Sequence, residues 1–341
     1  MEMRFLGGTG LKVSTLAFGT VTFGGQGEQA TQVGSIEPAE ARQVIDVCIE
    51  HGVNLFDTAD VYAQGRSEEV LGKALEGKRH DVLIATKVFG RTGKDSNDVG
   101  LTRHHIQRAC EASLRRLNTD YIDLYQSHGF DSLTPLDETL AAYDDLIRAG
   151  KVRYIGCSNY SAWHLMKALS ISERHNYARY ISHQAYYSLI GRELEHELIP
   201  LSLDQNVGIL VWGPLAQGFL TGKFRRGGNT PTVSRYAHNA EPPLNMPESQ
   251  AYDIVDRLIA IAQERNVSVT QVAINWVQQK PGVSSILFGA RTMEQLRDNL
   301  NAATWQLSAE EMQILDEVSQ TPVPYPYWHQ QKHGLERNPI K

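Results

Sequence analysis

The chain of 341 residues has room for two average domains, although α/β barrels also reach this size as one. Its hydrophobic content of 41% and charged content of 21% are ordinary for a soluble globular protein. The net charge of -6 argues against a nucleic-acid partner, and the lack of any apolar run of about 18 residues excludes a membrane-spanning helix.

The opening Met1-Glu-Met-Arg-Phe5 has no signal-peptide apolar region, so a cytoplasmic location is expected. Met3-Arg-Phe-Leu6 and Leu11-Lys-Val13 flank Gly7-Gly-Thr-Gly10 and predict a β-hairpin, with glycine supplying the positive φ of its turn. Leu16-Ala-Phe-Gly19 predicts a first buried strand, and the polar, Gly-rich stretch 20–35 a loop. Within it, Gly25-Gln-Gly27 loosely matches a dinucleotide fingerprint. No helix pattern follows it and the strand before it is too distant, so it reads as chance.

Apolar residues Val44, Ile45, Val47, Cys48 and Ile49 predict a helix over 38–52, with Pro38 in its first turn and Gly52 after its last. A strand follows over 53–57, then a helix opened by Ser67 as N-cap with Glu68 and Glu69 in its first turn. Strands are predicted over 82–87, 121–126, 152–158, 181–185 and 208–212, and helices over 104–117, 135–149 and 194–203; a further helix is capped by Ser161. The Gly/Pro/Asn-rich insert 222–247 is long enough to be a functional lid. A helix over 248–265 comes next, then one started by Ser268 and Gln271 with capping-box spacing, a last strand over 283–288 and a helix over 292–300. Ser308 and Glu311 form a second capping box that starts a helix reaching residue 319. The tail 321–341 is Pro-rich and aromatic.

Strands near Leu16, Val53, Val82, Tyr121, Val152, Ile181, Gly208 and Val283 each precede a helix. This repetition predicts an α/β fold, a closed (β/α)8 TIM barrel with an N-terminal β-hairpin plug and extra C-terminal helices. No linker divides it, so residues 1–341 form one domain. Cys48, Cys110 and Cys157 are widely spaced in apolar-periodic segments and read as core residues of a reducing compartment. Without a CxxC or HExxH spacing, no metal site is expected.

Three of the apolar strands end on a titratable residue. Asn54-Leu-Phe-Asp57-Thr-Ala-Asp-Val-Tyr62 delivers a carboxylate and, in the following loop, a phenol. Val82-Leu-Ile-Ala-Thr-Lys87 delivers an ammonium, and Tyr121-Ile-Asp-Leu-Tyr-Gln-Ser-His128 an imidazole. In a barrel all four surround the carboxyl end of neighbouring strands, where catalytic groups collect. An ammonium beside a phenol stabilises the phenolate, a carboxylate keeps that ammonium charged, and an imidazole can bond a substrate oxygen or relay a proton. These groups suit protonation of an alkoxide forming from a carbonyl. No GxSxG elbow or carboxylate pair competes with them.

The order and context of Asp57, Tyr62, Lys87 and His128 resemble the catalytic tetrad of the aldo-keto reductase superfamily, and the resemblance covers nearly the whole chain. It implies ordered NADPH-dependent reduction of an aldehyde or ketone, with NADPH/NADP+ bound first, Tyr62 as general acid, Lys87 tuning it and Asp57 holding Lys87. Ser158 and Asn159 resemble the pair that holds the nicotinamide carboxamide, with Gln184 as their partner, and Trp212 occupies the place of the aromatic stacked on the ring. The run from Trp212 through Gly213, Pro214, Leu215, Gln217 and Gly218 to Lys223 looks like the pyrophosphate loop of the bacterial and potassium-channel β-subunit branch, joined by Arg235. Gly19, Thr20 and Asp57 would meet the cofactor near the reacting ring. Gly289, Arg291, Gln295, Asp298 and Asn299 resemble the adenosine segment, with Arg291 placed for a 2′-phosphate. Gln295 stands where some members carry a second arginine, which leaves NADH open. Candidates to line the substrate pocket are Phe23, Phe89, Phe130, Tyr160 and Trp328.

Two other functions compete. One is a cofactor-binding regulatory protein like the channel β-subunits, with low turnover. The other is an aldolase or isomerase using Lys87 as a Schiff-base lysine, against which the cofactor segments argue. Sugars, small aldehydes and bulky ketones are all open as substrates. The tail lies either near the barrel mouth or against a neighbouring subunit of a homo-oligomer.

Overall fold

The computed structural model describes residues 1–27, 34–228 and 246–337. Two short strands, β1 (Met3–Phe5) and β2 (Lys12–Ser14), pair antiparallel. Eight parallel strands then close into a barrel: β3 (Leu16–Gly19), β4 (Leu55–Asp57), β5 (Leu83–Val88), β6 (Ile122–Ser127), β7 (Val152–Ser158), β8 (Tyr180–Tyr186), β9 (Gly208–Trp212) and β10 (Val283–Phe288). β10 pairs with both β9 and β3, which closes the ring. The strands read as apolar runs because both faces are covered, one by the barrel interior and one by helices.

That alternation produces two cores. The larger lies between the strands and the outer helices, and includes Phe18, Phe56, Ile84, Tyr125 and Ile155. The smaller lies inside the barrel, where Ala17, Leu55, Ala85, Leu124, Ile181 and Leu210 meet Leu6 and Val13 of the hairpin. The hairpin therefore plugs the barrel, as its sequence predicts. Arg4 anchors it by donating to the carbonyls of Gln278 and Val283, each at 2.8 Å, at the amino end of β10. Gly7 has φ +59, and a Cβ there would stand 2.5 Å from the Ile181 carbonyl oxygen, so the close approach needs glycine.

The helices are α1 (Pro38–Glu50), α2 (Arg66–Ala74), α3 (Arg103–Leu117), α4 (Leu136–Arg148), α5 (Ala162–His175), α6 (Leu198–Gln205), α7 (Glu248–Arg265), α8 (Val269–Gln278), α9 (Met293–Asn301), α10 (Ala309–Val318) and α11 (Tyr327–Arg337). Ser161 and Ser308 cap α5 and α10 as expected, the latter with the full capping box. Several details differ. Ser67 is not an N-cap; Gly65 precedes the helix, and the buried Ser67 hydroxyl instead bonds Thr20 and Thr58. Ser268 caps α8, but the Gln271 side chain turns to Asp298 rather than back to the cap. The helix expected over 194–203 is a 3-10 turn, Glu193–Glu195, followed by α6. The tail forms α11, which the prolines and aromatics of its sequence do not announce. Most of the insert read as a lid, residues 229–245, lies outside the described residues.

Candidate active site

β4 ends on Asp57, whose backbone is in register with Gly19 of β3 and Ala85 of β5. On β5, Ala85 faces the barrel interior, so Lys87, two residues further, faces the same way. Lys87 and Asp57 are both buried and form an ion pair. The Lys87 ammonium also donates to the Thr58 carbonyl at 2.8 Å and to the Tyr62 hydroxyl at 3.3 Å. Tyr62 precedes a left-handed turn in which Ala63, Gln64 and Gly65 have φ of 48°, 57° and 92°. His128 follows β6, and its ring meets the Tyr62 ring edge-on with centroids 5.7 Å apart. The four side chains thus share the carboxyl end of β4–β6.

The electrostatics assign each a state. Burial pulls the Lys87 pKa down, but the carboxylate of Asp57 and the oxygen of Tyr62 overcome this and hold it above the usual value, so the lysine is charged. Burial, and then the charge of Lys87, push the His128 pKa down to about 3, so the imidazole is neutral. Asp57 is fully engaged: one oxygen takes Lys87, and the other accepts from Gln184 at 2.8 Å and Gln126 at 3.1 Å. Sequence reasoning missed Gln126. The sequence signal was a polar amide two residues before His128 in the same run; the structure puts it in register beside Lys87.

Next to this group lies a surface that fits a nicotinamide cofactor. Ser158 ends β7 with its hydroxyl buried and, among the described residues, without a hydrogen-bond partner, a group ready for an amide. Asn159, at φ 59°, donates to the His128 carbonyl at 3.0 Å and accepts from the Trp212 indole at 3.1 Å, linking the two. Trp212 packs against Tyr186 with centroids 5.0 Å apart and rings tilted by 44°, and remains partly exposed. Beyond it, Gly213, Ala216, Gln217 and Gly218 all have positive φ, around the buried Pro214 and the half-buried Leu215, and the Ala216 and Gly218 N–H groups donate back to the Gly213 and Leu215 carbonyls, which fixes the turn's shape. Lys223 follows, exposed.

Gly289 adjoins Gly19, since a Cβ there would sit 3.6 Å from the Gly19 carbonyl oxygen. Beside them Arg291 donates its backbone N–H to the Gln295 side chain at 3.0 Å. Asn299 donates to the Gly289 carbonyl, and Asp298 accepts from Ser268 and Gln271. The side chains of Asp298 and Asn299 are therefore occupied in shaping the segment. Thr20 likewise spends its hydroxyl on the Asp57 carbonyl and Ser67. Arg235 lies outside the described residues.

The pocket candidates divide. Phe23 is fully buried against Phe18 and belongs to the outer core. Tyr160 is also buried, edge-on to Phe130 and Tyr180. Phe89 and Phe130 are half-buried in the loops after β5 and β6, with Phe130 stacked on His164 at 3.5 Å. Trp328 is half exposed against Tyr325 and His329, in the tail whose Tyr327 stacks on His196. Among the described residues there is no metal-ligating cluster and no helix long and apolar enough to cross a membrane.

Residues 15–320 match the sequence profile of the Aldo/keto reductase family. The chain is 38% identical over 311 residues to a probable voltage-gated potassium channel subunit beta of Arabidopsis thaliana, covering 89% of this chain and 91% of that one. It is 34% identical over 330 residues to an uncharacterized oxidoreductase of Bacillus subtilis, covering 93% and 96%. It is also 34% identical over 339 residues to the versiconal hemiacetal acetate reductase of Aspergillus parasiticus, again covering 93% and 96%.

Proposed function

The chain belongs to the aldo/keto reductase family and is an oxidoreductase, and from that premise we propose that it reduces an aldehyde or ketone to the alcohol, reversibly, with NADPH. The observation that carries this reading is the Lys87 ammonium held between Asp57 and the Tyr62 hydroxyl at the barrel mouth. When bound, the reduced nicotinamide supplies the hydride for the carbonyl carbon. Tyr62 gives its proton to the carbonyl oxygen, and Lys87 stabilises the phenolate left behind. Asp57 keeps Lys87 charged in a buried setting. His128 is neutral and offers a hydrogen bond to the same oxygen rather than a proton. Ser158 and Asn159 would hold the carboxamide, Trp212 would cover the ring, the turn from Gly213 to Gly218 would take the pyrophosphate, and Arg291 the 2′-phosphate.

A second reading is a cofactor-binding regulatory subunit with low turnover, which the relative named as a potassium channel subunit beta favours. Measuring NADPH oxidation across a panel of aldehydes and ketones separates the two. Turnover that is lost in Tyr62→Phe supports the reductase. Tight NADPH binding without turnover on any member overturns it and supports the regulatory reading.

A further inference from the structure

We propose that Glu68, held between Thr86 and Arg116, is a positioning residue that fixes the spacing of Tyr62 and Lys87; the inference rests on the reading of Tyr62 as general acid. Glu68 lies in the first turn of α2 and is fully buried. One carboxylate oxygen accepts from the Thr86 hydroxyl at 2.6 Å, and Thr86 immediately precedes Lys87 on β5. The other accepts from the Arg116 guanidinium at 2.7 Å. Arg116, near the end of α3, also lies flush against the turn that carries Tyr62: a Cβ added to Gly65 would stand 2.8 Å from its Cδ and 2.9 Å from its Nε.

That turn needs support. Ala63 and Gln64 occupy left-handed backbone that side-chain-bearing residues disfavour, and such strain persists only where the surroundings over-determine it. The turn is held locally by the Tyr62 N–H to the Ala59 carbonyl at 3.2 Å, the Gln64 N–H to the Val61 carbonyl at 3.1 Å and the Arg66 N–H to the carbonyls of Tyr62 and Ala63, bonds that close it without fixing where it sits against β5. Gly72 completes the clamp by seating α2 on α3, since a Cβ there would stand 2.5 Å from the Leu117 carbonyl oxygen. One buried carboxylate therefore ties the strand bearing the ammonium, the helix that follows the phenol, and the guanidinium that presses on the turn between them. Asp60 does not share this role, because among the described residues no side-chain donor bonds either of its buried oxygens.

The test compares wild type, Glu68→Gln, Arg116→Gln and Tyr62→Phe in the NADPH-dependent reduction of p-nitrobenzaldehyde, with NADPH affinity from fluorescence and melting temperature alongside. Glu68→Gln and Arg116→Gln are expected to lower kcat about tenfold or more, because a misplacement of ~1 Å can cost ~10²-fold. NADPH affinity should stay within about twofold, which places the loss in the chemical step. The pH profile of kcat should also be displaced. Folded, NADPH-binding variants with wild-type kcat and pH profile overturn the inference. So does a loss that follows NADPH affinity and melting temperature together, which marks a merely structural pair. Should Glu68→Gln fail to fold, the partly exposed Arg116 carries the test. A Tyr62→Phe variant that keeps its rate instead removes the general acid, and both readings fall.

Discussion

The Lys87 ammonium stands 3.3 Å from the Tyr62 hydroxyl, and the same nitrogen is paired with Asp57. The phenol oxygen and the carboxylate thus share one buried cation. Replacing Lys87 with Met keeps the volume but leaves Asp57 with only its two amide donors, Gln126 and Gln184. Breaking a buried pair by removing one partner costs about 3–5 kcal/mol, so the variant is expected to melt well below wild type. Its reductase rate should fall about 10²-fold or more, since the general acid loses the charge that stabilises its conjugate base. Steady-state kinetics and thermal melts of Lys87→Met check both; a folded variant with wild-type kcat contradicts the role given to the lysine.

Asp60 makes a second prediction. Burial, then the neighbouring Glu68 carboxylate, raise its pKa to about 8, against the opposing pull of Arg116 and Lys87. The native state therefore holds a proton that the unfolded chain gives up from pH ~4 upward. The associated stability is fully present below the unfolded value and is lost as pH rises through the folded one. Asp60→Asn, neutral at every pH, should raise the melting temperature, with a gain that grows from pH 5 to about 8 and then levels off. Melts across that range decide it; a gain independent of pH shows that the carboxyl is ionised in the native protein throughout.

For His128 the sign is reversed. Its folded pKa is pushed down to about 3, first by burial and then by Lys87. The unfolded chain binds the proton first, so stability is lost as pH falls from ~6.5 towards the folded value. His128→Gln should lessen that acid sensitivity. The pH profile of kcat/KM should carry no limb from this imidazole between pH 5 and 8, because the ring is neutral throughout. An NMR titration showing His128 protonating near pH 6.5 contradicts both expectations.

Much of this was legible in the sequence because short, largely apolar runs alternate with helical patterns, and counting the runs that each precede a helix gives eight. The ends of those runs also expose the chemistry: Asp57, Lys87 and His128 stand out where apolar patterning stops. Other features depend on packing that spacing does not encode. Ser67 has the look of an N-cap, yet its hydroxyl is drawn inward by Thr20 and Thr58. Glu68 reads as an acidic first-turn residue, and only the folded chain places Thr86 and Arg116 around it. Phe23 is a candidate pocket residue by sequence, yet it is buried in the outer core, with its backbone bridged to Ile36. Gln126 is one of three polar residues of β6, with Asp123 and Ser127, and its value appears only when β5 and β6 align.

Asn159 offers a test of how the cofactor surface is joined to the catalytic groups. Its side chain spans from the His128 carbonyl to the Trp212 indole, while its backbone sits at φ 59°. Asn159→Gly preserves the backbone freely and removes both bonds, so it isolates the side chain's contribution. Each neutral hydrogen bond is worth about 0.5–1.5 kcal/mol, and losing both should weaken NADPH binding roughly tenfold, through a less fixed Trp212 and the lost side-chain bond to the carboxamide. Asn159→Asp keeps the acceptor for the indole and loses the donor to His128, and should fall between the two. Titration of NADPH fluorescence with the three proteins measures the order; equal affinities mean that the Asn159 side chain neither fixes Trp212 nor holds the carboxamide.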